Sequence, residues 1–220
     1  MLQAFSAVIF DMDGTLIDTE CLYKQVMTQA CRELGYEMSE ALHRSLIGVP
    51  NAESEPVMRA DLGEDFPFAR YNTRMHDLLE QEMAEAIPLK PGVFELIEAL
   101  NARQIPMAVA TSTSRPDAPD RLARAGILPH LKALVTRSDV THGKPHPEPF
   151  LAAAAALGMD PGACLALEDS FTGVRAAHAA GTQTVMIPDL LQPTDDIRAL
   201  CQAVMIDLHA VREAIARVRA

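Results

Sequence analysis

The stretch AVIFDMDGTLIDTE, residues 7–20, sets a short apolar run against four acids, Asp11, Asp13, Asp18 and Glu20. The run is continuous and not alternating, which is the pattern of a strand covered on both faces. Comparable runs recur at 106–111 (PMAVAT), 132–136 (KALVT), 164–168 (CLALE), 184–188 (TVMIP) and 203–206 (AVMI). Helical patterns lie between them. Val93, Leu96, Ile97 and Leu100 keep the i, i+3, i+4, i+7 spacing, and EPFLAAAAALG (148–158) and TGVRAAHAAG (172–181) join good helix formers to a closing glycine. Strand and helix in alternation from about residue 90 onward predict an α/β fold with a parallel sheet, whose ligands belong at the carboxyl ends of its strands.

Residues 16–87 break that rhythm and contain no convincing strand. Leu22, Val26, Ala30 and Leu34 repeat every fourth residue, and Tyr71, Met75, Leu78, Leu79 and Met83 form a second stripe. Stripes of this kind are helix–helix core. The all-helical block therefore reads as a domain inserted after the first strand, with IPLKPGV (87–93) as the return crossing. The predicted division is 1–15 with 88–220 as the sheet domain, and 16–87 as the insert.

Composition narrows the class. The 220 residues are 49% hydrophobic and 22% charged, and no apolar run approaches the roughly 20 residues that span a bilayer. A membrane is not an expected partner. The opening MLQAFSAVIFD lacks a basic start and a small-residue cleavage site, which predicts a cytoplasmic protein. Cys21, Cys31, Cys164 and Cys201 show no CxxC pairing, so neither a zinc site nor a disulfide framework is expected. A formal net charge of −11 argues against nucleic acid. An anionic substrate then has to be attracted locally, by a metal or by a few placed cations.

Taken alone, Asp11 and Asp13 fit a turn, since Asp bonds back to nearby backbone and Gly14 adds conformational freedom. A turn does not explain why other strands end in matching polar groups. Thr111 and Ser112 close MAVATS, Lys144 follows VTHG, and Glu168 and Asp169 close CLALED. In a parallel sheet these tips converge on one edge. At about 4 Å and an effective dielectric near 20, a carboxylate facing a phosphate dianion starts roughly 8 kcal/mol uphill. One lysine does not offset this. A hard divalent cation does, and an all-oxygen donor set suits Mg2+.

DMDGTL (11–16), ATS (110–112), GKPHPEPF (143–150) and LEDSFTGVRAAHAAG (167–181) resemble the ordered motifs of the haloacid dehalogenase superfamily of phosphotransferases. The insert resembles that of its helical-cap group, which includes sugar phosphatases and β-phosphoglucomutase. The resemblance implies a Rossmann-like core and an inserted all-helical cap. It implies that Asp11 attacks phosphorus and carries an aspartyl phosphate, while Asp13 protonates the leaving alcohol and then takes a proton from water. It places Mg2+ on the Asp11 side chain, the Asp13 backbone carbonyl and Asp169, with Glu168 as ligand or support. Thr111, Ser112 and Lys144 would hold phosphoryl oxygens. The substrate it implies is a small phosphorylated metabolite such as a sugar phosphate.

Other positions are read more plainly. His142 and His146 beside Lys144 read as loop residues, Asp18 as part of the turn into the first cap helix, and Glu20 as a candidate substrate-facing acid. Arg44, Arg59, Arg70 and Arg74 are candidate anion-facing cap residues, with surface solvation the more expected fate of each, and IGVP (47–50) resembles the cap loop of the group. A sugar-phosphate mutase is the alternative, but the histidine that β-phosphoglucomutases place shortly after the first motif is missing between Asp18 and Met27, which favours hydrolysis. A phosphoacceptor receiver module has no use for Asp13 or the insert.

Overall fold

The computed structural model describes residues 2–46, 49 and 51–218. The IGVP stretch therefore lies outside the described residues apart from Val49, as does the side chain of Glu20. The chain divides into two compact units, Met1–Asp18 with Pro88–Ala220, and Thr19–Ile87.

The first unit begins with β1 (Ala7–Phe10). The second unit then follows as four helices, α1 (Thr19–Glu33), α2 (Glu40–Leu46), α3 (Asn51–Leu62) and α4 (Phe68–Glu85). Both apolar stripes of the sequence are core here: Leu22, Val26 and Ala30 of α1 cluster with Tyr71, Met75, Leu78, Leu79 and Met83 of α4. Leu34 packs on that cluster from the turn that ends α1. Phe66 joins the two sides, edge-on to Tyr36 at 4.9 Å and tilted against Tyr71 at 5.4 Å. It is fully buried. Phe66→Ala is expected to cost about 3–5 kcal/mol, transfer and cavity terms together. Denaturant unfolding monitored on this unit checks the figure, and a change below about 1 kcal/mol would contradict the packing described.

After the insert the first unit resumes: α5 (Val93–Ala102), β2 (Met107–Ala110), α6 (Asp117–Arg124), β3 (Ala133–Val135), α7 (Glu148–Leu157), β4 (Cys164–Glu168), α8 (Phe171–Ala179), β5 (Gln183–Met186), α9 (Asp195–Leu200), β6 (Ala203–Val204) and α10 (Leu208–Ala216). The sheet is parallel throughout, in the order β3-β2-β1-β4-β5-β6. The expected α/β architecture is present. The edges are shorter than their apolar runs suggest, since β3 keeps three residues and β6 two, and Ile206 is left 83% exposed. An edge strand has one ladder to hold it and frays first.

Period-2 alternation explains how β1 is covered. Ala7 and Ile9 pack with Ala108, Ala110 and Ala166 against Phe150, Ala153 and Ala154 of α7 and Ala176 and Ala177 of α8. Alanine on both surfaces lets those helix backbones approach closely. Val8 and Phe10 point the other way and are equally buried, so both faces are sealed. All four cysteines are free thiols. No described helix is long and apolar enough to cross a membrane.

Candidate active site

Strand order decides where the acids meet. The chain runs outward from β1 through β2 to β3, then returns to the other side of β1 with β4, so β1 and β4 flank the point where the winding reverses. Their register pairs Phe10 with Leu167, and the Asp11 N–H donates to the Leu167 carbonyl at 2.9 Å. Asp11 and Glu168 are thus neighbours by backbone pairing alone.

Side chains complete the cluster. Lys144 Nζ, on a side chain only 4% exposed, donates to Asp11 Oδ1 at 2.5 Å and to Glu168 Oε1 at 2.6 Å. Its ammonium also lies 5.0 Å from the centre of the buried Phe150 ring. The other Glu168 oxygen, Oε2, accepts from the Asp169 N–H (3.0 Å), the Ser170 N–H (2.9 Å) and the Ser170 hydroxyl (2.9 Å). Ser170 caps α8 by accepting from the Gly173 N–H at 3.1 Å. Glu168 is therefore fully buried yet anchored on both oxygens, at a helix N-terminus that favours negative charge.

Two glycines make the space. A Cβ on Gly173 would fall inside the Glu168 carboxylate, and one on Gly14 would collide with Asp169. Gly14 also has φ +85°, in the left-handed region. It lies in a tight loop in which Leu16 and Ile17 N–H both donate to the Met12 carbonyl and Gly14 N–H donates back to Ile17. That loop brings the Thr15 hydroxyl to Asp169 Oδ1 at 3.2 Å.

Asp13 is held separately. Its Oδ2 accepts from the Thr113 hydroxyl at 2.6 Å, and Arg121 of α6 stands 3.7 Å from its Oδ1. Thr113 is tied in turn to Thr111, whose buried hydroxyl accepts the Thr113 N–H at 3.0 Å. Ser112, between them, is exposed. The structure thus joins Asp11, Lys144, Glu168 and Asp169 directly, and links Asp13 to Thr111 through Thr113. Asp18 pairs with Lys90 at 3.6 Å while its N–H donates to the Pro88 carbonyl, which fits its reading as a turn residue. Arg44, Arg59 and Arg74 pair with Glu40, Glu55 and Glu33 within their own unit.

The electrostatics of the cluster are unbalanced. Burial, partly offset by the charge of Lys144, pushes Asp11 up to about 7, with Glu168 and Asp13 adding to the rise. Burial, then the charges of Glu168 and Asp11, holds Asp169 well above the usual carboxylate range. For Lys144 burial acts downward, but the attraction of Asp11 and Glu168 outweighs it and leaves the ammonium firmly charged. One cation thus faces three carboxylates whose donor oxygens lie within 4.8 Å of one another. A hard divalent ion fits this set, because its ligands are all oxygen and its charge supplies what the lysine lacks.

A family model described as haloacid dehalogenase-like hydrolase matches residues 8–187. The chain is 34% identical over 197 residues to the phosphorylated carbohydrates phosphatase of Thermotoga maritima, covering 90% of each protein. It is 30% identical to the fructose-1-phosphate phosphatase YqaB of Escherichia coli K12, covering 84% of this chain and 97% of that one. Among solved structures, a HAD family hydrolase of Deinococcus radiodurans R1 with bound phosphate and sodium superposes with a TM-score of 0.81 at 25% identity, over 98% of this chain and 96% of that one. With the first of its motifs on β1 and the last at the β4–α8 junction, both inside the matched span, the chain belongs to the haloacid dehalogenase-like hydrolases.

Proposed function

We propose that the protein is a Mg2+-dependent phosphomonoester hydrolase that acts on a small sugar phosphate through an aspartyl phosphate on Asp11. The observation that carries this reading is the buried Asp11–Lys144–Glu168 chain at the winding reversal, with a second acid, Asp13, two residues from the nucleophile and separately held. Hydrolysis of a phosphoric monoester fits both this arrangement and the relatives named as phosphatases. The sugar phosphate is carried over from those names.

In this reading Asp11 attacks phosphorus with one carboxylate oxygen, forming the acyl phosphate as the ester O–P bond breaks. Asp13 gives its proton to the departing alkoxide. It then accepts a proton from the water that attacks the acyl phosphate, releasing inorganic phosphate and restoring Asp11. Thr111, Ser112 and Lys144 hold the phosphoryl oxygens, and Lys144 keeps Asp11 aimed. Asp11, the Asp13 carbonyl and Asp169 would hold Mg2+, with Glu168 as ligand or support. When bound, the ion would supply positive charge that offsets the repulsion of the carboxylates for a phosphoryl group. Residues 16–87 serve as the cap that selects the alcohol part of the substrate.

The test is phosphate release from a panel of sugar phosphates, phosphoglycolate and nucleotides, followed by phosphorus NMR. Release is expected with Mg2+ and is expected to fall by roughly 10³-fold or more in excess chelator. Conversion of a sugar phosphate into a positional isomer without phosphate release would establish a mutase instead.

A further inference from the structure

The loop that presents Lys144 carries a second cluster of donors. In HGKPHPE (142–148) two histidines stand two residues to either side of the lysine. The lysine side chain is buried, whereas His142 and His146 are 63% and 50% exposed. Their ring centres are 4.6 Å apart. Glu148 Oε2 lies 3.1 Å from His142 Nδ1 and 3.9 Å from His146 Nδ1, and the three side chains offer ligand atoms within 4.8 Å of one another. A tetrahedral ion with bonds of about 2.0–2.1 Å sets its ligand atoms roughly 3.3 Å apart, between those two separations.

The support around these donors is also that of a ligand set. Glu148 Oε1 accepts the Thr141 N–H and Oε2 the His142 N–H, both at 2.8 Å, which fixes the carboxylate from behind. His146 Nδ1 accepts the Glu148 N–H at 3.2 Å, so this nitrogen is unprotonated and its lone pair turns to a metal once that long hydrogen bond is given up. His142 Nδ1 lies 3.1 Å from Glu148 Oε2, and a neutral His142 that binds through Nδ1 carries its one ring proton on Nε2. Two imidazoles and one carboxylate suit borderline ions, whereas the strand-end carboxylates suit a hard one.

We propose that His142, His146 and Glu148 bind one borderline divalent transition ion, with Zn2+ as the type, at a surface site separate from the carboxylate cluster. Occupancy ties together the two ends of the turn that holds Lys144. The site does not depend on the phosphatase reading.

Calorimetric titration of the whole protein with Zn2+, in excess Mg2+, is expected to show one ion bound per chain. His142→Ala and His146→Ala should each weaken it by roughly tenfold or more, while Asp169→Asn leaves it unchanged. No binding, binding indifferent to both histidine variants, or binding lost in Asp169→Asn overturns the proposal. The unsubstituted chain gives an independent reading. Zn2+ is expected to shield His142 and His146 from diethyl pyrocarbonate, read by peptide mass spectrometry, and unchanged labelling of both overturns it as well.

Discussion

Asp11→Asn is expected to reduce phosphate release by about 10⁴-fold or more, the scale of losing a nucleophile that acts with its partners as a unit. The amide keeps an oxygen for Lys144 Nζ, so the shape of the site survives while the proposed attacking anion is lost. Folding gives a second readout. Asp11 ionises near 7 in the folded chain, against an ordinary value of 3.8. Between those values the folded state holds more protons than the unfolded one. Chelated wild-type protein therefore loses stability as pH rises from about 4 to about 7, and the variant is expected to lose less. Urea unfolding across that range, with turnover measured on the same samples, tests both statements. Full turnover in the variant would end the nucleophile assignment. A steeper pH slope than wild type would contradict the burial argument.

Gly173→Ala is the second large effect. In an ordinary helix the exchange gains close to 1 kcal/mol. Here the added methyl group falls inside the Glu168 carboxylate, which is fully buried and anchored by Lys144, Ser170 and two backbone N–H groups. The carboxylate has to leave those partners or α8 has to shift. Breaking a buried ion pair costs about 3–5 kcal/mol, so a loss of that order is expected by denaturant unfolding, together with loss of turnover. Glu168→Gln separates the causes, since it keeps the shape and removes the charge. If Gly173→Ala matched wild type in both stability and turnover, the described position of Glu168 would be wrong.

Much of the sheet could be read from the chain because β1, β2 and β4 are covered on both faces and so appear as unbroken apolar runs. The acids Asp11, Glu168 and Asp169 were legible for the same reason: Asp11 follows such a run directly, Glu168 ends one, and Asp169 comes next. Within the insert, α1 and α4 announced themselves by stripes. Helices α2 and α3 did not, being short and polar, with Pro56 inside α3. The support of the site was harder to see. Thr113 meets Asp13 across 100 residues, and Thr15 meets Asp169 across 154. No local pattern encodes such pairs. Gly173 left a faint sign, a glycine at the start of a helix just after a buried acid. Arg121, on a largely exposed helix, left none.

The place of β1 in the strand order shapes how the chain comes off the ribosome. Its run AVIF is made first, yet its β2 neighbour begins at Met107 and its β4 neighbour at Cys164. Until both have been synthesised at least one edge of the run lacks its partner strand, and exposed apolar strands of this kind are what holding chaperones bind. The pairing that seats Asp11 beside Glu168 is accordingly complete only after translation has passed β4.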